Sequence, residues 1–313
     1  MPIIDKEHFL GRDFICLQHY TPEEILYMLK IAKELKEERK AGIPHPILQG
    51  KTIAMIFTKS STRTRVAFEA GMLQLGGHAL FLSSRDIQIG RGEPIKDTAR
   101  VLSRMVDGIM IRTHSHQDVI ELAEYASIPV INGLSDFLHP TQVLADLLTI
   151  QEHKQRLEGL KLTYIGDGNN MAHSLMFAGK MGLHVVIASP AGYKPDAQVF
   201  AQAQAQAKKH GGLVEWLEDP LTAAKDADIL YTDVWASMGQ EEETAVRMKA
   251  FQGYRIDGET MRCAHPEAIV LHCLPAHRGE EITEEVLEGP QSVVFDEAEN
   301  RLHAHKAIMA LLL

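Results

Sequence analysis

Short apolar runs rich in isoleucine and valine alternate along the chain with longer stretches in which apolar residues repeat at helical spacing. Uninterrupted apolar runs of this length are typical of strands that are buried on both faces of a parallel sheet. The predicted strands are residues 51–58, 78–83, 108–113, 128–132, 161–166, 184–189, 229–233 and 269–274. The predicted helices between them are residues 63–75, 93–105, 117–125, 140–154, 170–181 and 196–210. This alternation predicts an α/β fold with parallel sheets flanked by helices.

The length of 313 residues is enough for about two domains. The polar helix at 140–154 and the short segment Leu157-Glu158-Gly159 form the best interior boundary, because the next strand begins a second run of alternation. We therefore predict one domain over residues 1–150 and another over residues 151–298.

Composition and charge exclude several classes of protein. Hydrophobic residues make up 45% and charged residues 24% of the chain, a balance typical of folded globular proteins. The net charge of −10 disfavours binding to nucleic acid or anionic lipid. The sequence has no long apolar run of the kind that crosses a membrane, and it begins without a secretion signal, so a cytoplasmic protein is expected.

The cysteines Cys16, Cys263 and Cys273 are odd in number and widely spaced. This pattern fits a reducing compartment and disfavours both a disulfide framework and a Cys-x-x-Cys zinc site. The pairs His114/His116 and His303/His305 lack a third ligand at a usual spacing, so no metal site is predicted.

The first strand leads into Lys59-Ser60-Ser61-Thr62-Arg63-Thr64-Arg65 and then into a helical pattern. Ser61 or Thr62 is suited to cap that helix, and the free amides of its first turn attract an anion. Arginines at a helix start oppose the helix dipole, so a bound phosphate is expected to offset their charge. The alternative is a capped helix with exposed arginines.

Two further strand ends carry candidate binding residues, because ligands of parallel sheets gather at the carboxyl ends of the strands. Arg112 ends one strand and either pairs with a structural carboxylate or faces a ligand. His139 precedes Pro140 at a helix entrance, and Gln142 follows. A neutral histidine and an amide together suit a carbonyl or carboxamide group, although a lone histidine is more often structural.

The turn at residues 166–170 superficially resembles a dinucleotide-binding motif. Met171 replaces the third glycine and the next strand lacks a ribose-binding acid, so a nicotinamide cofactor is disfavoured. Asn169 and Asn170 either cap the helix or bind a ligand carboxylate. Asp233, at another strand end, either binds an ammonium group or forms a simple turn.

Cys273 ends the last predicted strand and, taken alone, is more often a structural residue. Its neighbour His272 points to the opposite face of the strand and cannot serve as its base. Covalent catalysis by the thiol is therefore disfavoured.

Four elements together resemble the aspartate/ornithine carbamoyltransferase family. They are the segment 57–65, His139-Pro140-Thr141-Gln142, the segment 233–239, and His272-Cys273-Leu274-Pro275. The Ser-Met-Gly and His-Cys-Leu-Pro elements point to the ornithine branch, and the likeness covers essentially the whole chain. Thr58 departs from the glutamate that we expect at this position in many members.

The resemblance implies a set of residues for each substrate and no metal or cofactor. For carbamoyl phosphate the set is Ser61, Thr62, Arg63, Thr64, Gln88, Arg112, His139, Gln142, Cys273, Leu274 and Arg301. For ornithine the set is Asn170, Asp233, Ser237 and Met238. Within these sets Arg112, His139 and Cys273 are the implied catalytic residues.

The resemblance also implies that the C-terminal helix, residues 299–313, packs back on the first domain. It implies a transfer of the carbamoyl group to the δ-amine of ornithine, giving citrulline and phosphate, in a homotrimer or a multiple of trimers. The alternatives are a carbamoyltransferase for a related amine, such as putrescine or an acylated ornithine, and a non-catalytic anion-binding module.

Overall fold

The computed structural model describes residues 5–236 and 243–313. These residues form two compact units. The first unit combines Met1–Leu148 with Glu299–Leu313, and the second comprises Thr149–Ala298.

The first unit contains a four-stranded parallel sheet in the order β2-β1-β3-β4. Its strands are β1 (Thr52–Phe57), β2 (His78–Ser83), β3 (Gly108–Arg112) and β4 (Val130–Leu134). Its helices are α1 (Pro22–Lys40), α2 (Thr62–Gln74), α3 (Ile95–Leu102), α4 (His116–Tyr125) and the first part of α5 (Pro140–Lys154). β1 and β3 are central and almost fully buried, so the loops after them leave the core at one edge of the sheet.

The second unit contains a five-stranded parallel sheet in the order β7-β6-β5-β8-β9. Its strands are β5 (Lys161–Ile165), β6 (His184–Ala188), β7 (Leu213–Leu217), β8 (Ile229–Thr232) and β9 (Ile269–His272). Its helices are α6 (Asn170–Met176), α7 (Ala197–Lys209), α8 (Pro220–Ala224), α9 (Thr244–Ala250), α10 (Gly258–Cys263) and α11 (Glu284–Leu287).

The last helix, α12 (Val294–Leu312), supplies the C-terminal part of the first unit. Gly71 of α2 lets α12 approach closely, because a Cβ at this position would lie 3.0 Å from the Cε of Met309 and 3.2 Å from the Cγ of Lys306. The α/β class, the two parallel sheets and the return of the C-terminal helix to the first unit are confirmed. In the described ranges, no helix is long and apolar enough to cross a membrane.

Two differences from the sequence prediction concern edge strands. The strand at 78–83 is present, but it is not buried: β2 lies at the sheet edge, and Leu80 and Phe81 are 38% and 36% exposed. β7 was not predicted, because only Val214 in it is fully buried and Glu215 interrupts its apolar pattern. The edge strands β4 and β9 are buried, whereas β2 and β7 leave most of their residues partly exposed, so an apolar run is a weaker guide to these two strands.

Helix α1 was also missed. Its apolar positions are interrupted by many lysines and glutamates, so its periodic signal is weak. The capping box between Thr21 and Glu24, followed by Pro22 at the first helical position, is a local signal that could have identified its start.

Candidate functional site

The turn after β1 is organised by the cap of α2. Ser61 is the N-cap residue, and its Oγ accepts a hydrogen bond from the Thr64 amide at 3.2 Å. Thr62 and Arg63 therefore occupy the first turn, where helix amides and the helix dipole favour an anion. Among the described residues, none is a hydrogen-bond partner for the buried Nε of Arg63. This geometry is suited to a phosphate group.

Arg301 reaches the same turn from α12. It is 3% exposed, and its Nη2 donates a hydrogen bond of 2.6 Å to the Oγ1 of the fully buried Thr64. The separation of 237 residues along the chain explains why spacing could not reveal this contact and only the family resemblance suggested it.

His139 lies immediately before α5 and is almost completely buried. Burial, followed by the positive charges of Arg301 and Arg112, holds its pKa well below the usual value. His139 is therefore neutral at pH 7, when one ring nitrogen can donate a hydrogen bond and the other can accept one. The structure thus places His139, Arg112 and Arg301 in one electrostatic environment.

Lys59 is a further charged residue beside this turn, and no role was predicted for it. Its Nζ lies 2.7 Å from the Oδ1 of Asp136, and the Nδ1 of His114 lies 3.0 Å from the Oδ2 of the same carboxylate. Asp136 thereby links the loops that follow β1, β3 and β4. Lys59 is almost fully buried. Its position directly after a predicted buried strand is the sequence signal that could have identified it.

Gln142 and Gln88 complete the residues that were predicted for carbamoyl phosphate in this unit, and their roles stay predictions. Gln142 is buried, and its Nε2 donates to the Oδ1 of Asp146 at 2.8 Å. Gln88 is exposed at the start of a short 3-10 helix, Gln88–Arg91. The structure does not bring Gln88 of this chain to the α2 turn by any described hydrogen bond.

In the second unit, Asp233 follows β8 and is 7% exposed. Its Oδ1 accepts from the Val234 amide at 2.8 Å and lies 3.1 Å from the Sγ of Cys273, while its Oδ2 accepts from the Nδ2 of Asn169 at 3.1 Å. A buried carboxylate held in this way by donors is suited to an ammonium ligand.

Cys273 and Leu274 follow β9 in a turn that is fixed by His272. The Nδ1 of His272 accepts from the Leu274 amide at 2.9 Å, so its proton lies on Nε2, which is 3.0 Å from the Oε1 of Glu281. Leu274 has a φ of 55°, a conformation that nonglycine residues rarely adopt outside functional turns. A ring nitrogen of His272 lies within 4.8 Å of the Sγ of Cys273. The prediction that these two side chains point to opposite faces is therefore wrong, because β9 ends at His272 and Cys273 lies in the turn beyond the strand.

Asn170, the predicted carboxylate ligand, is the first residue of α6 and is buried. Ser237 and Met238 lie outside the described residues. On either side of the segment 237–242, the carbonyl of Trp235 and the carboxylate of Glu243 accept from Arg247, which also forms a 2.7 Å ion pair with Asp167.

Within residues 5–236 and 243–313, two groups of side chains offer ligand atoms close enough for a metal ion. Asp233, His272 and Cys273 form one group, and His277, Glu280 and Glu281 form the other, with their ligand atoms within 4.8 Å of one another. In the first group, hydrogen bonds already use both ring nitrogens of His272 and the Asp233 carboxylate. These residues are engaged as a hydrogen-bonded network.

Comparison with known proteins gives the same assignment over both halves of the chain. Residues 12–152 match the family described as "Aspartate/ornithine carbamoyltransferase, carbamoyl-P binding domain". Residues 158–312 match "Aspartate/ornithine carbamoyltransferase, Asp/Orn binding domain".

Individual relatives are similar along their full length. The chain is 61% identical to an ornithine carbamoyltransferase of Symbiobacterium thermophilum over 97% of this chain and 98% of that one. It is 59% identical to that of Pyrococcus abyssi, with 97% and 96% covered. The solved ornithine carbamoyltransferase of Pyrococcus furiosus superimposes with a TM-score of 0.95 at 56% identity, covering 97% of each chain. The chain therefore belongs to the aspartate/ornithine carbamoyltransferase family.

Proposed function

We propose that this protein transfers the carbamoyl group of carbamoyl phosphate to the δ-amine of L-ornithine, giving L-citrulline and phosphate. The observation that carries the proposal is the α2 turn, where the buried Nε of Arg63 has no hydrogen-bond partner in the described part of the chain and Arg301 is hydrogen-bonded to Thr64. The names of the relatives, at 59% and 61% identity, support ornithine as the acceptor. The first unit is proposed as the carbamoyl phosphate-binding domain and the second as the ornithine-binding domain.

Carbamoyl phosphate is assigned to the strand ends of the first unit. Ser61, Thr62, Arg63 and Thr64 bind its phosphate, and Arg301 completes this group. Arg112 and neutral His139, with Thr64, bind the carbonyl oxygen, and Gln142 binds the carbamoyl amide. Cationic and neutral donors around a carbonyl stabilise the negative charge that develops on its oxygen, which is usually the largest catalytic contribution in such transfers.

Ornithine is assigned to the strand ends of the second unit. Asp233 binds its α-ammonium group and Asn170 its carboxylate, with Ser237 and Met238 as further contacts. Cys273 and Leu274 are assigned to the place where the δ-amine meets the carbamoyl carbon.

The reaction needs the δ-amine in its neutral form, although a free alkylamine has a pKa of about 10.4. The nitrogen lone pair forms a bond to the carbamoyl carbon, the bond from that carbon to the phosphate oxygen breaks, and phosphate leaves with the electron pair. The amine loses one proton on binding and a second during transfer, and the departing phosphate can accept the latter. The hydrogen-bonded pair of Cys273 and Asp233 assists the first loss.

Several exposed apolar residues support a homotrimer, or a multiple of trimers, built through the first unit. Leu80 and Phe81 of edge strand β2 and Val66 and Leu73 of α2 are between 36% and 75% exposed. An exposed strand with apolar residues is a typical interface for another protein surface, and the proposed occupant is a second copy of this chain. Gln88 would then reach the phosphate of a neighbouring subunit. We place the assembly in the cytoplasm.

A colourimetric citrulline assay on the purified protein tests the activity. Carbamoyl phosphate is supplied with ornithine, putrescine or acetylornithine in turn, and phosphate release is measured in parallel. We expect turnover with ornithine and little with putrescine, because putrescine lacks the carboxylate that Asn170 binds. Faster turnover of another amine would show that this amine, and not ornithine, is the substrate. Binding of carbamoyl phosphate without turnover of any amine would indicate a non-catalytic anion-binding module.

A further inference from the structure

Asn169 joins the cap of a helix to the carboxylate of Asp233. Its Oδ1 accepts hydrogen bonds from the amides of Met171 at 2.9 Å and Ala172 at 3.3 Å, so it caps α6. Its Nδ2 donates to the Oδ2 of Asp233 at 3.1 Å. One side chain therefore connects the turn after β5 with the turn after β8.

The helix cap also determines which way the amide of Asn169 faces. Because the two backbone amides need an acceptor, the oxygen must point toward α6 and the NH2 group toward Asp233. The hydroxyl of the fully buried Tyr164 lies 3.4 Å from the same oxygen. Burial raises the pKa of Tyr164 well above its usual value, so this hydroxyl stays protonated and donates to the oxygen.

The turn that carries Asn169 is held by close contacts. A Cβ at Gly168 would lie 2.3 Å from the backbone nitrogen of Pro195, so only glycine allows this approach. The neighbouring Asp167 forms a 2.7 Å ion pair with the buried Arg247. Asn169 therefore presents its donor from a position that has little freedom to shift.

Asp233 depends on this donor because its other oxygen is already engaged. The Val234 amide and the Cys273 thiol both approach Oδ1, whereas the hydrogen bond described for Oδ2 comes from Asn169. A carboxylate anchored at both oxygens can present only a narrow range of directions to a ligand.

We propose that Asn169 is a positioning residue that orients the Asp233 carboxylate for the ammonium group of the acceptor substrate. This inference rests on the proposed function, in which Asp233 binds the α-ammonium group of ornithine. Asn169 acts through Asp233 and is not assigned a contact with either substrate.

Three substitutions separate this role from simple capping of α6. Asn169→Ser keeps a good N-cap and removes the donor to Asp233, whereas Asn169→Ala removes both. Asn169→Asp keeps the cap but places a second negative oxygen beside the Oδ2 of Asp233. We expect the ornithine KM to rise roughly tenfold in the serine and alanine variants and further in the aspartate variant. The carbamoyl phosphate KM should change by less than about twofold in the serine variant.

Asp196 supplies the matched control. It caps α7 by accepting from the amides of Gln198 at 2.9 Å and Val199 at 3.0 Å, and no described hydrogen bond joins it to Asp233. Asp196→Ala should lower the melting temperature without changing the ornithine KM. Asn169→Ser should raise the ornithine KM without lowering the melting temperature.

A wild-type ornithine KM in Asn169→Ser, together with a raised one in Asn169→Ala, would show that Asn169 is only a cap. That result overturns the positioning role while citrulline formation by the wild-type protein still supports the proposed function. A wild-type protein that forms no citrulline overturns both.

Discussion

The two units present opposite charges at the carboxyl ends of their sheets. In the first unit the strand-end turns and α12 bring in Arg63, Arg112 and Arg301, and His139 is kept neutral among them. In the second unit the central charged group is Asp233, and Asn169 donates a hydrogen bond to its carboxylate. The first arrangement suits a phosphate dianion and the second an ammonium group. Substitutions in the two units should therefore change the kinetics of different substrates.

The largest effect is expected for Arg63→Ala in the first unit. Removing this cation from the α2 turn should lower turnover roughly a hundred- to thousandfold and raise the carbamoyl phosphate KM, because electrostatic donors to developing charge contribute this much. Steady-state citrulline formation with each substrate varied in turn measures both quantities.

Arg63→Lys serves as the control, because it keeps the charge and loses the planar fork of donors. It should recover part of the activity. Near-normal kinetics of Arg63→Ala would contradict the assignment of the phosphate to the cationic groups of the first unit.

The next effect is the recovery of activity in mixed assemblies. Gln88→Ala and Arg63→Ala chains should each have strongly reduced activity. In a randomly mixed trimer, about a quarter of the sites combine an intact Arg63 with an intact Gln88 from the neighbour. The two variants are dissociated, mixed and reassembled, and citrulline formation is measured. Absence of recovery, or active protein that sediments as a monomer, would contradict an active site that Gln88 of a neighbouring subunit completes.

Asp233→Asn tests the second unit. The substitution keeps the size of the side chain and removes its charge, so the ornithine KM should rise roughly ten- to hundredfold. The carbamoyl phosphate KM should stay within about twofold, since that substrate carries no ammonium group. Equal changes in both constants would indicate a structural role for Asp233 and would erase the difference between the units.

The sequence predicted the local part of each site better than the long-range part. The Ser61 cap, the helix entrance at His139 and the strand end at Asp233 depend on neighbouring residues, and a pattern can show them. The bond from Arg301 to Thr64 joins residues 237 positions apart, and no spacing rule could reveal it.

The networks behind the site residues were predicted least well. A capping and a binding role were both open for Asn169 and Asn170. Asn169 caps α6 and donates to Asp233, and the binding role of Asn170 stays a prediction. The link from Lys59 through Asp136 to His114 was not foreseen. Each of these contacts joins loops that only the strand order brings together.

Cys273→Ser should have a smaller effect than the charge changes. The thiol lies 3.1 Å from the Oδ1 of Asp233, and its proposed role is to place this group and assist proton loss from the amine. Turnover should fall roughly tenfold, with a changed ornithine KM and residual activity. A carbamoyl thioester trapped on Cys273 and detected by mass spectrometry would instead show covalent catalysis.

The smallest expected effect is a loss of stability of the first unit at acid pH. His305 of α12 is fully buried and stacks on Phe68 at 4.2 Å, and among the described residues neither ring nitrogen has a hydrogen-bond partner. Burial and then the charge of Arg301 hold its pKa well below the usual value. As the pH falls below about 6.5, the unfolded chain gains a proton here and the folded chain does not, so stability decreases.

Phenylalanine at position 305 keeps the stack on Phe68 and cannot be protonated. His305→Phe should therefore stabilise the first unit relative to the wild type, and its advantage should grow as the pH falls from 7.5 to 5.5, by up to about 1.4 kcal/mol per pH unit. Amide hydrogen exchange in α12, compared between the two proteins at the same pH, measures this difference. The advantage should be confined to the first unit, so exchange in β8 and β9 serves as the internal control. If His305→Phe were more stable than the wild type by the same amount at pH 7.5 and at pH 5.5, His305 would not be the cause of the acid sensitivity.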